Sequence, residues 1–229
     1  MKYDLFLFDL DDTLLDFKES ERLSFFSTLQ ALGIHIELDQ LFEQYQIVNR
    51  ALWKLFEQAQ TTKEHLKVER FRKIFEANQI SLDPKLASTH YLNTLPKTVV
   101  LIDHAVEICK WLSQHGEIGI VTNGIHTVQT QRIKNSMIAP YISFVSVSEE
   151  CGFAKPDVRF FEYSAKMASK FLKASTIVIG DRLETDIQGA HNFGLDGCWF
   201  NPNKLERPAD LAPKYEIRHL SEIQTVMKS

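Results

Sequence analysis

The chain has 229 residues, of which 44% are hydrophobic, 24% charged and 11% aromatic. This length suits one main domain plus a smaller one, and this composition excludes a chain that is disordered throughout. The formal net charge of −4 at pH 7 excludes a broad basic surface, so we expect neither a nucleic-acid polymer nor an anionic membrane as a partner.

Cysteine spacing and apolar run lengths indicate the compartment. Cys109, Cys151 and Cys198 lie far apart, without CxxC or Cys/His metal spacing, which favours free thiols in a reducing compartment. The apolar run at residues 5–8 is too short for a signal-peptide core, and no later run reaches membrane-spanning length. We therefore expect a cytoplasmic protein.

The first predicted element is a strand at residues 3–8, a continuous apolar run that ends in acidic residues, as is typical of a strand buried on both faces. Similar runs predict strands at 118–121, 144–147, 177–179 and 198–200. Helical patterns lie between them, at about 103–114, 126–135, 157–170 and 185–193. This alternation predicts a Rossmann-like, three-layer α/β/α core with a parallel sheet, whose ligands bind at the strand ends.

Residues 17–95 show three or four consecutive helical patterns and no strand pattern. We interpret them as an inserted α-helical cap domain, with a discontinuous core domain formed by residues 1–16 and 96–229. Pro84 is expected to open one helix of the cap, and Pro96 marks the return to the sheet. The stretch 201–213 contains three prolines and predicts a surface loop.

Two acidic residues, Asp9 and Asp11, follow the first predicted strand. Alternate residues of an extended chain point the same way, so both can face one site. One carboxylate suits a nucleophile and metal ligand, and the other suits a general acid and base. An acidic turn that caps the next helix has the same composition. We assign that structural role to Asp12, which points away from the other two.

Phosphate-binding groups follow two later elements. Thr122, Asn123 and Gly124 come directly after a predicted strand, where hydroxyl, amide and backbone N–H groups can bind phosphate oxygens, although an ordinary turn has the same residues. Pro156 suits the first position of a helix. This places Lys155 in the preceding loop, where it can neutralise an acidic nucleophile and a phosphate together. A solvated surface lysine is the alternative.

A further acidic pair follows the strand predicted at 177–179. Asp181 offers a hard oxygen ligand that suits Mg²⁺. Asp186 can orient Lys155 or a metal-bound water from behind, or it can simply favour the start of a helix through the helix dipole. Four such groups at the ends of four strands of one sheet indicate a single site.

These four segments resemble the four motifs of the haloacid-dehalogenase-like hydrolase superfamily: 9–14, 122–124, 155–156 and 180–186. The resemblance covers the whole chain, since the helical insertion is similar to the superfamily's helical cap. It implies that Asp9 attacks phosphorus and forms an aspartyl-phosphate intermediate, with Asp11 as general acid and base. The superfamily's dehalogenases lack that acid, so Asp11 favours a phosphatase over a dehalogenase, with a sugar-phosphate mutase as the second choice.

The same resemblance implies Mg²⁺ as cofactor, bound by the carboxylates of Asp9 and Asp181 and by the backbone carbonyl of Asp11. It also implies that the phosphoryl oxygens of the substrate are held by three groups: Thr122, the backbone at Asn123 and Gly124, and Lys155. Charge neutralisation and alignment of this kind are what a phosphoryl-transfer reaction requires.

The predicted cap helix at about 41–59 carries two neighbouring stripes at 100° per residue. The first is apolar and predicts the core of the cap: Leu41, Tyr45, Val48, Leu52, Leu55 and Ala59. The second mixes aromatic and amide side chains: Phe42, Gln46, Asn49, Trp53 and Phe56. Such a row can stack on a flat ring and bind its edge, so we assign Asn49 and Trp53 to substrate binding. Packing within the cap is an equal alternative for the two phenylalanines.

The segments 48–53 and 177–190 are similar to those of bacterial pyrimidine nucleoside 5′-monophosphatases in the superfamily. This resemblance implies a nucleoside 5′-monophosphate as substrate. The expected partner is a small phosphorylated metabolite, and the chain is expected to be a monomer or weak dimer. A sugar- or other metabolite-phosphate phosphatase on the same scaffold is one alternative. A phospho-receiver signalling domain is another, but the long helical insertion and Asp11 argue against it.

Overall fold

A computed structural model of the chain describes residues 1–35 and 37–228. The chain divides into two compact units. An α/β unit comprises Met1–Phe17 and Val100–Ser229, and a helical unit comprises Lys18–Val99. Within the described residues, no helix is both long enough and apolar enough to cross a bilayer.

The α/β unit is built on one sheet of six parallel strands in the order β3-β2-β1-β4-β5-β6. The strands are β1 Leu5–Phe8, β2 Glu117–Thr122, β3 Phe144–Val147, β4 Thr176–Gly180, β5 Asp196–Phe200 and β6 Tyr215–Ile217. Every residue of β1 is buried, since helices cover both faces of a parallel sheet. The predicted three-layer α/β class is confirmed.

The described residues contain ten α-helices, numbered in chain order. They are α1 Phe17–Ala31, α2 Leu38–Glu57, α3 Lys63–Ala77, α4 Pro84–Thr94, α5 Ala105–Ser113, α6 His126–Lys134, α7 Ser148–Cys151, α8 Val158–Met167, α9 Gln188–Phe193 and α10 Ile223–Val226. A π-helical turn, Leu183–Ile187, precedes α9. Pro84 opens α4 as predicted, behind the N-cap residue Asp83, whose carboxylate accepts from the backbone N–H of Lys85.

Two local expectations were wrong, and one strand was not predicted. Pro156 is not the first residue of a helix, because Asp157 is the N-cap of α8 and accepts from the backbone N–H of Arg159. Leu55 and Ala59, expected in the core of the helical unit, are exposed, and α2 ends before Ala59. The short strand β6 lies next to β5 at one edge of the sheet and was not predicted, because three residues carry too little pattern.

The helical unit has an aromatic core. Phe25 on α1 packs on Tyr45 of α2 with ring centroids 4.6 Å apart, and Tyr45 packs on Phe71 of α3 at 5.5 Å. Tyr91 on α4 completes the group, 5.6 Å from Phe71. Large aromatic side chains of this kind dominate the energetics of a small core. This core therefore ties α1, α2, α3 and α4 together.

Candidate active site

The site lies at one edge of the sheet, where parallel strands end side by side. Asp9 follows β1, Thr122 is the last residue of β2, and Asp181 follows β4. Strand β1 lies between β2 and β4, so the chain leaves β1 for one side of the sheet and later returns on the other. Crevices at such a switch of strand order are where α/β sheets bind ligands.

Lys155 is the central cation of this edge. Its side chain is only 2% exposed, and its ammonium group donates to Oδ1 of Asp9 at 2.5 Å and to Oδ1 of Asp186 at 2.7 Å. The third donated bond goes to the carbonyl oxygen of Val121 at 2.7 Å. An ammonium group has three donors, so all three are used. The alternative of a solvated surface lysine is excluded.

Asn123 fixes the backbone of Lys155. Its side-chain Oδ1 accepts from the Lys155 backbone N–H at 2.8 Å, and its Nδ2 donates to the Lys155 carbonyl at 3.0 Å. This pair of bonds joins the loop after β2 to the loop before α8. The Asn123 side chain is thus engaged with protein, and the predicted phosphate contact at this position falls to the backbone.

Three carboxylates form a compact group: one oxygen each from Asp9, Asp181 and Asp186 lies within 4.8 Å of the others. Thr13 holds Asp181 by accepting from its backbone N–H at 3.1 Å and donating to its Oδ1 at 3.3 Å. Gly180 allows Asp186 to approach, because a Cβ there would lie 2.3 Å from Asp186 Oδ2. Asp186 was expected to orient Lys155 or a metal-bound water, or to favour the start of a helix; it lies in this carboxylate group and accepts from the Lys155 ammonium group.

Burial and neighbouring carboxylates disfavour the ionised forms of Asp9 and Asp181. Burial raises the pKa of Asp9 to about 7, with Asp186 and Asp11 adding to the rise and Lys155 opposing it. Burial, together with Asp9 and Asp186, raises the pKa of Asp181 to about 9. Burial lowers the pKa of Lys155, but Asp186 and Asp9 outweigh it and raise that pKa above its ordinary value. One lysine is thus insufficient to balance three ionised carboxylates.

This donor set fits a divalent cation. Mg²⁺ binds hard oxygen ligands and is usually held by one or two carboxylates. A doubly charged ion would offset the burial and the mutual repulsion that together raise both aspartate pKa values. The backbone carbonyl of Asp11 remains a predicted ligand. The chemistry of the residues is therefore suited to the magnesium ion that the motifs predict.

A stability measurement tests the charge balance. Both carboxyls have an ordinary pKa of 3.8, raised in the folded protein to about 7 for Asp9 and about 9 for Asp181. At a pH between the ordinary pKa and the folded-state pKa of each carboxyl, the unfolded chain has lost a proton that the folded protein keeps. Without metal, the free energy of unfolding should therefore fall as pH rises from about 4 to about 9. Thermal unfolding in EDTA measures this decline.

Mg²⁺ should oppose that decline, since it stabilises the ionised carboxylates, and the gain in Tm on adding it should grow with pH. Asp181→Asn is the matched variant and should flatten the metal-free profile above about pH 7. A metal-free Tm that is equal at about pH 5 and about pH 9 would contradict the arrangement.

Asp11 lies outside the carboxylate group, and two side chains of α6 hold it. Its Oδ2 accepts from Gln129 Nε2 at 2.6 Å, and its Oδ1 forms an ion pair with NH1 of Arg132. Arg132 is fully buried and lies over the ring of Phe17, with its guanidinium carbon 5.2 Å from the ring centroid. Asp12, by contrast, accepts from the backbone N–H of Phe17 at 3.0 Å, the helix-capping role expected for it.

Thr122 is connected to the same pair of residues. Its Oγ1 accepts from Gln129 Nε2 at 3.0 Å and from the backbone N–H of Gly124 at 3.1 Å. Gly124 allows this packing, because a Cβ there would lie 2.4 Å from Gln129 Nε2. The hydroxyl and the Asp11 carboxylate are therefore neighbours of one amide.

The two residues predicted to bind substrate from the helical unit are placed differently. Asn49 is buried, donates to Glu21 Oε1 at 2.7 Å and accepts from Arg70 NH1 at 3.3 Å. Trp53 is partly exposed, and its ring meets Phe56 edge-on at 5.7 Å. Their substrate contacts remain predictions.

Sequence reasoning missed Thr13, Gln129 and Arg132. Thr13 was read only as part of the first acidic segment. Gln129 and Arg132 share a face of α6 with the buried Val128 and Ile133. Polar residues at positions of a helix that are otherwise apolar and buried signal a bonded network. That signal was present in the pattern after Thr122.

A model of the haloacid dehalogenase-like hydrolase family matches residues 6–200. The chain belongs to this family. The prediction made from the four motifs is thereby confirmed, and so is the assignment of the chain as a hydrolase.

Relatives of this hydrolase include phosphatases. The chain is 33% identical over 226 residues to the HAD-hydrolase YfnB of Bacillus subtilis (strain 168), covering 99% of this chain and 96% of YfnB. It is 33% identical to the pyrimidine 5′-nucleotidase PynA of Streptococcus pneumoniae, over 95% of this chain and 92% of PynA. It is 28% identical to the pyrimidine 5′-nucleotidase YjjG of Escherichia coli (strain K12), over 99% of each chain.

The fold of one relative is known in detail. The crystal structure of YfnB bound to magnesium matches this hydrolase with a TM-score of 0.92 and 32% identity, covering 100% of both chains. The family fold therefore extends over the whole chain, including the helical unit.

Proposed function

We propose that this hydrolase is a Mg²⁺-dependent phosphomonoesterase that reacts through an aspartyl-phosphate on Asp9 and acts on nucleoside 5′-monophosphates, with pyrimidine nucleotides preferred. In this proposal the α/β unit carries the catalytic residues and the helical unit is the family's cap. The observation that carries the proposal is the buried bridge from Lys155 to Asp9 and Asp186, beside the carboxylate of Asp181.

The proposed reaction has two steps. A carboxylate oxygen of Asp9 attacks phosphorus and forms an O–P bond, while the ester P–O bond breaks and the leaving oxygen takes a proton from Asp11. A water molecule then gives its proton to Asp11 and attacks the aspartyl-phosphate. This step releases inorganic phosphate and restores the Asp9 carboxylate.

In this proposal the surrounding groups neutralise charge and bind the phosphoryl oxygens. Lys155 neutralises the nucleophile, and we assign the phosphoryl oxygens to the Thr122 hydroxyl and to the backbone N–H groups of the loop that follows it. Asp9 and Asp181 would hold Mg²⁺ together with the backbone carbonyl of Asp11, and the ion would neutralise charge that develops on the phosphoryl group. The magnesium-bound structure of YfnB supports this choice of ion for the family.

Two lines support the choice of substrate: the similarity of segments 48–53 and 177–190 to nucleotidases, and the nearly full-length relatives PynA and YjjG, both named as pyrimidine 5′-nucleotidases. A panel of phosphate esters tests it. With Mg²⁺, kcat/KM for uridine and thymidine 5′-monophosphates should exceed that for glucose 6-phosphate by about tenfold or more, and EDTA should remove the activity.

Adenosine 5′-monophosphate in the same panel separates a preference for pyrimidines from a general preference for nucleotides. Equal or faster turnover of hexose phosphates would reject the nucleotide proposal and favour a sugar-phosphate phosphatase. Activity that persists after chelation of the metal would reject the role of Mg²⁺.

A further inference from the structure

Gln129 is a buried amide on α6 that belongs to none of the four motifs. Its Nε2 donates to Asp11 Oδ2 at 2.6 Å and to Thr122 Oγ1 at 3.0 Å, and its Oε1 accepts from Arg132 NH1 at 3.0 Å. A guanidinium can only donate, so the contact with Arg132 identifies that end of the amide as the oxygen and the other end as the nitrogen. Both N–H groups of Gln129 are thus committed.

The amide also decides the direction of the Thr122 hydroxyl. A hydroxyl oxygen has two acceptor lone pairs and one hydrogen. Thr122 Oγ1 accepts from Gln129 Nε2 and from the Gly124 backbone N–H, so both acceptor positions are filled. The hydrogen bonds among residues 1–35 and 37–228 leave its hydrogen unused, and Thr122 can therefore only donate to an incoming acceptor such as a phosphoryl oxygen.

Asp11 is held from two sides. Gln129 binds one carboxylate oxygen and Arg132 binds the other, and Arg132 in turn contacts the Gln129 carbonyl oxygen. Within the described residues, Nε and NH2 of Arg132 have no hydrogen-bond partner, so its polar contacts run through NH1 to Asp11 and Gln129 alone. This side chain is completely buried, so water does not replace the missing hydrogen bonds of these two nitrogens. Its placement serves these two residues.

We propose that Gln129 is a positioning residue that couples proton transfer to phosphoryl binding: a single amide holds the acid and base Asp11 and presets the Thr122 hydroxyl as a donor. Gln129 acts through these two residues and does not itself contact the substrate. The inference rests on the proposed function, because it takes the roles of Asp11 and Thr122 from it. Arg132 helps to fix the amide by donating to its carbonyl oxygen.

The dependence of rate on leaving group tests this coupling. The probes are phenyl phosphate, whose leaving oxygen needs a proton, and p-nitrophenyl phosphate, whose leaving group departs as a stable anion. Gln129→Leu should lower kcat/KM for phenyl phosphate by on the order of 10²-fold, the cost of a misplaced catalytic group, and should lower it much less for p-nitrophenyl phosphate. A merely structural role would lower both alike.

Gln131→Leu is the matched control, since Gln131 is an exposed glutamine of the same helix, and it should leave both rates unchanged. Asp11→Asn should show the same leaving-group selectivity as Gln129→Leu, and adding Gln129→Leu to it should change the ratio of the two kcat/KM values little. Gln129→Met provides the same test if the leucine variant fails to fold by circular dichroism.

The outcomes separate the two proposals. If the wild type hydrolyses both esters, Asp9→Asn does not, and Gln129→Leu leaves the ratio of kcat/KM values unchanged, the coupling is wrong and the phosphatase proposal stands. If the wild type hydrolyses neither these esters nor uridine 5′-monophosphate with Mg²⁺, or Asp9→Asn remains active, both proposals are overturned.

Discussion

Asp9→Asn is expected to abolish phosphoester hydrolysis, lowering kcat by on the order of 10⁵-fold or more, as loss of a nucleophile does in other covalent mechanisms. An amide is a far weaker nucleophile than a carboxylate, and no other carboxylate replaces Asp9 at the end of β1. The side chain is nearly isosteric, so Thr122 and Lys155 keep their positions. Steady-state release of inorganic phosphate measures the loss.

Trapping the intermediate makes this test specific. Acid quenching during turnover of a ³²P-labelled ester should give labelled wild-type protein and unlabelled Asp9→Asn. The control is Asp103→Asn, which changes an exposed carboxylate and should retain full activity and labelling. Labelling of Asp9→Asn equal to that of the wild type would show that another residue is the nucleophile.

Lys155→Met is expected to have the largest effect on stability. The ammonium group is buried and joins two carboxylates, Asp9 and Asp186. Removing one member of a buried ionic group leaves the other charges uncompensated, at a cost of about 3–5 kcal/mol. Methionine retains most of the volume of the lysine stem, so the loss reports charge more than packing. Urea unfolding in EDTA measures it, because bound metal would offset part of the effect.

Lys166→Met provides the comparison, since Lys166 is exposed on α8 and its loss should change the free energy of unfolding by less than about 0.5 kcal/mol. The double variant Lys155→Met/Asp186→Asn should recover part of the stability, because it removes one of the stranded charges. Equal stabilities of Lys155→Met and Lys166→Met would mean that the buried ion pairs contribute nothing.

The parts of the fold that could be predicted are those encoded locally. The strands β1 to β5 are short apolar runs bounded by polar residues. This pattern can be recognised in a single sequence because both faces of a parallel sheet are covered. The edge at which Asp9, Thr122 and Asp181 meet also followed, since parallel strands bring their carboxyl ends together.

The parts that could not be predicted depend on tertiary partners. Nothing local to Gln129 states that its amide meets Asp11, which is 118 positions away in the chain. Asn49 was assigned to substrate binding because an aromatic row with amides can stack on a flat ring and bind its edge. Its contacts with Glu21 and Arg70 were not predicted, and its substrate contact stays a prediction. In both cases the partner lies on another helix or loop. Helical periodicity could therefore show which face of the helix is buried but not which residues pack against that face.

The position of Asp9 directly after the central strand β1 has a consequence for how the molecule folds. The two neighbours of β1 in the sheet, β2 and β4, begin only at Glu117 and Thr176, and Lys155 is 146 positions from Asp9. A nascent chain that ends before Lys155 thus holds the predicted nucleophile without its counter-charge. Such distant pairings fold slowly, so the aspartates and Lys155 come together only after the chain as far as β4 has been synthesised.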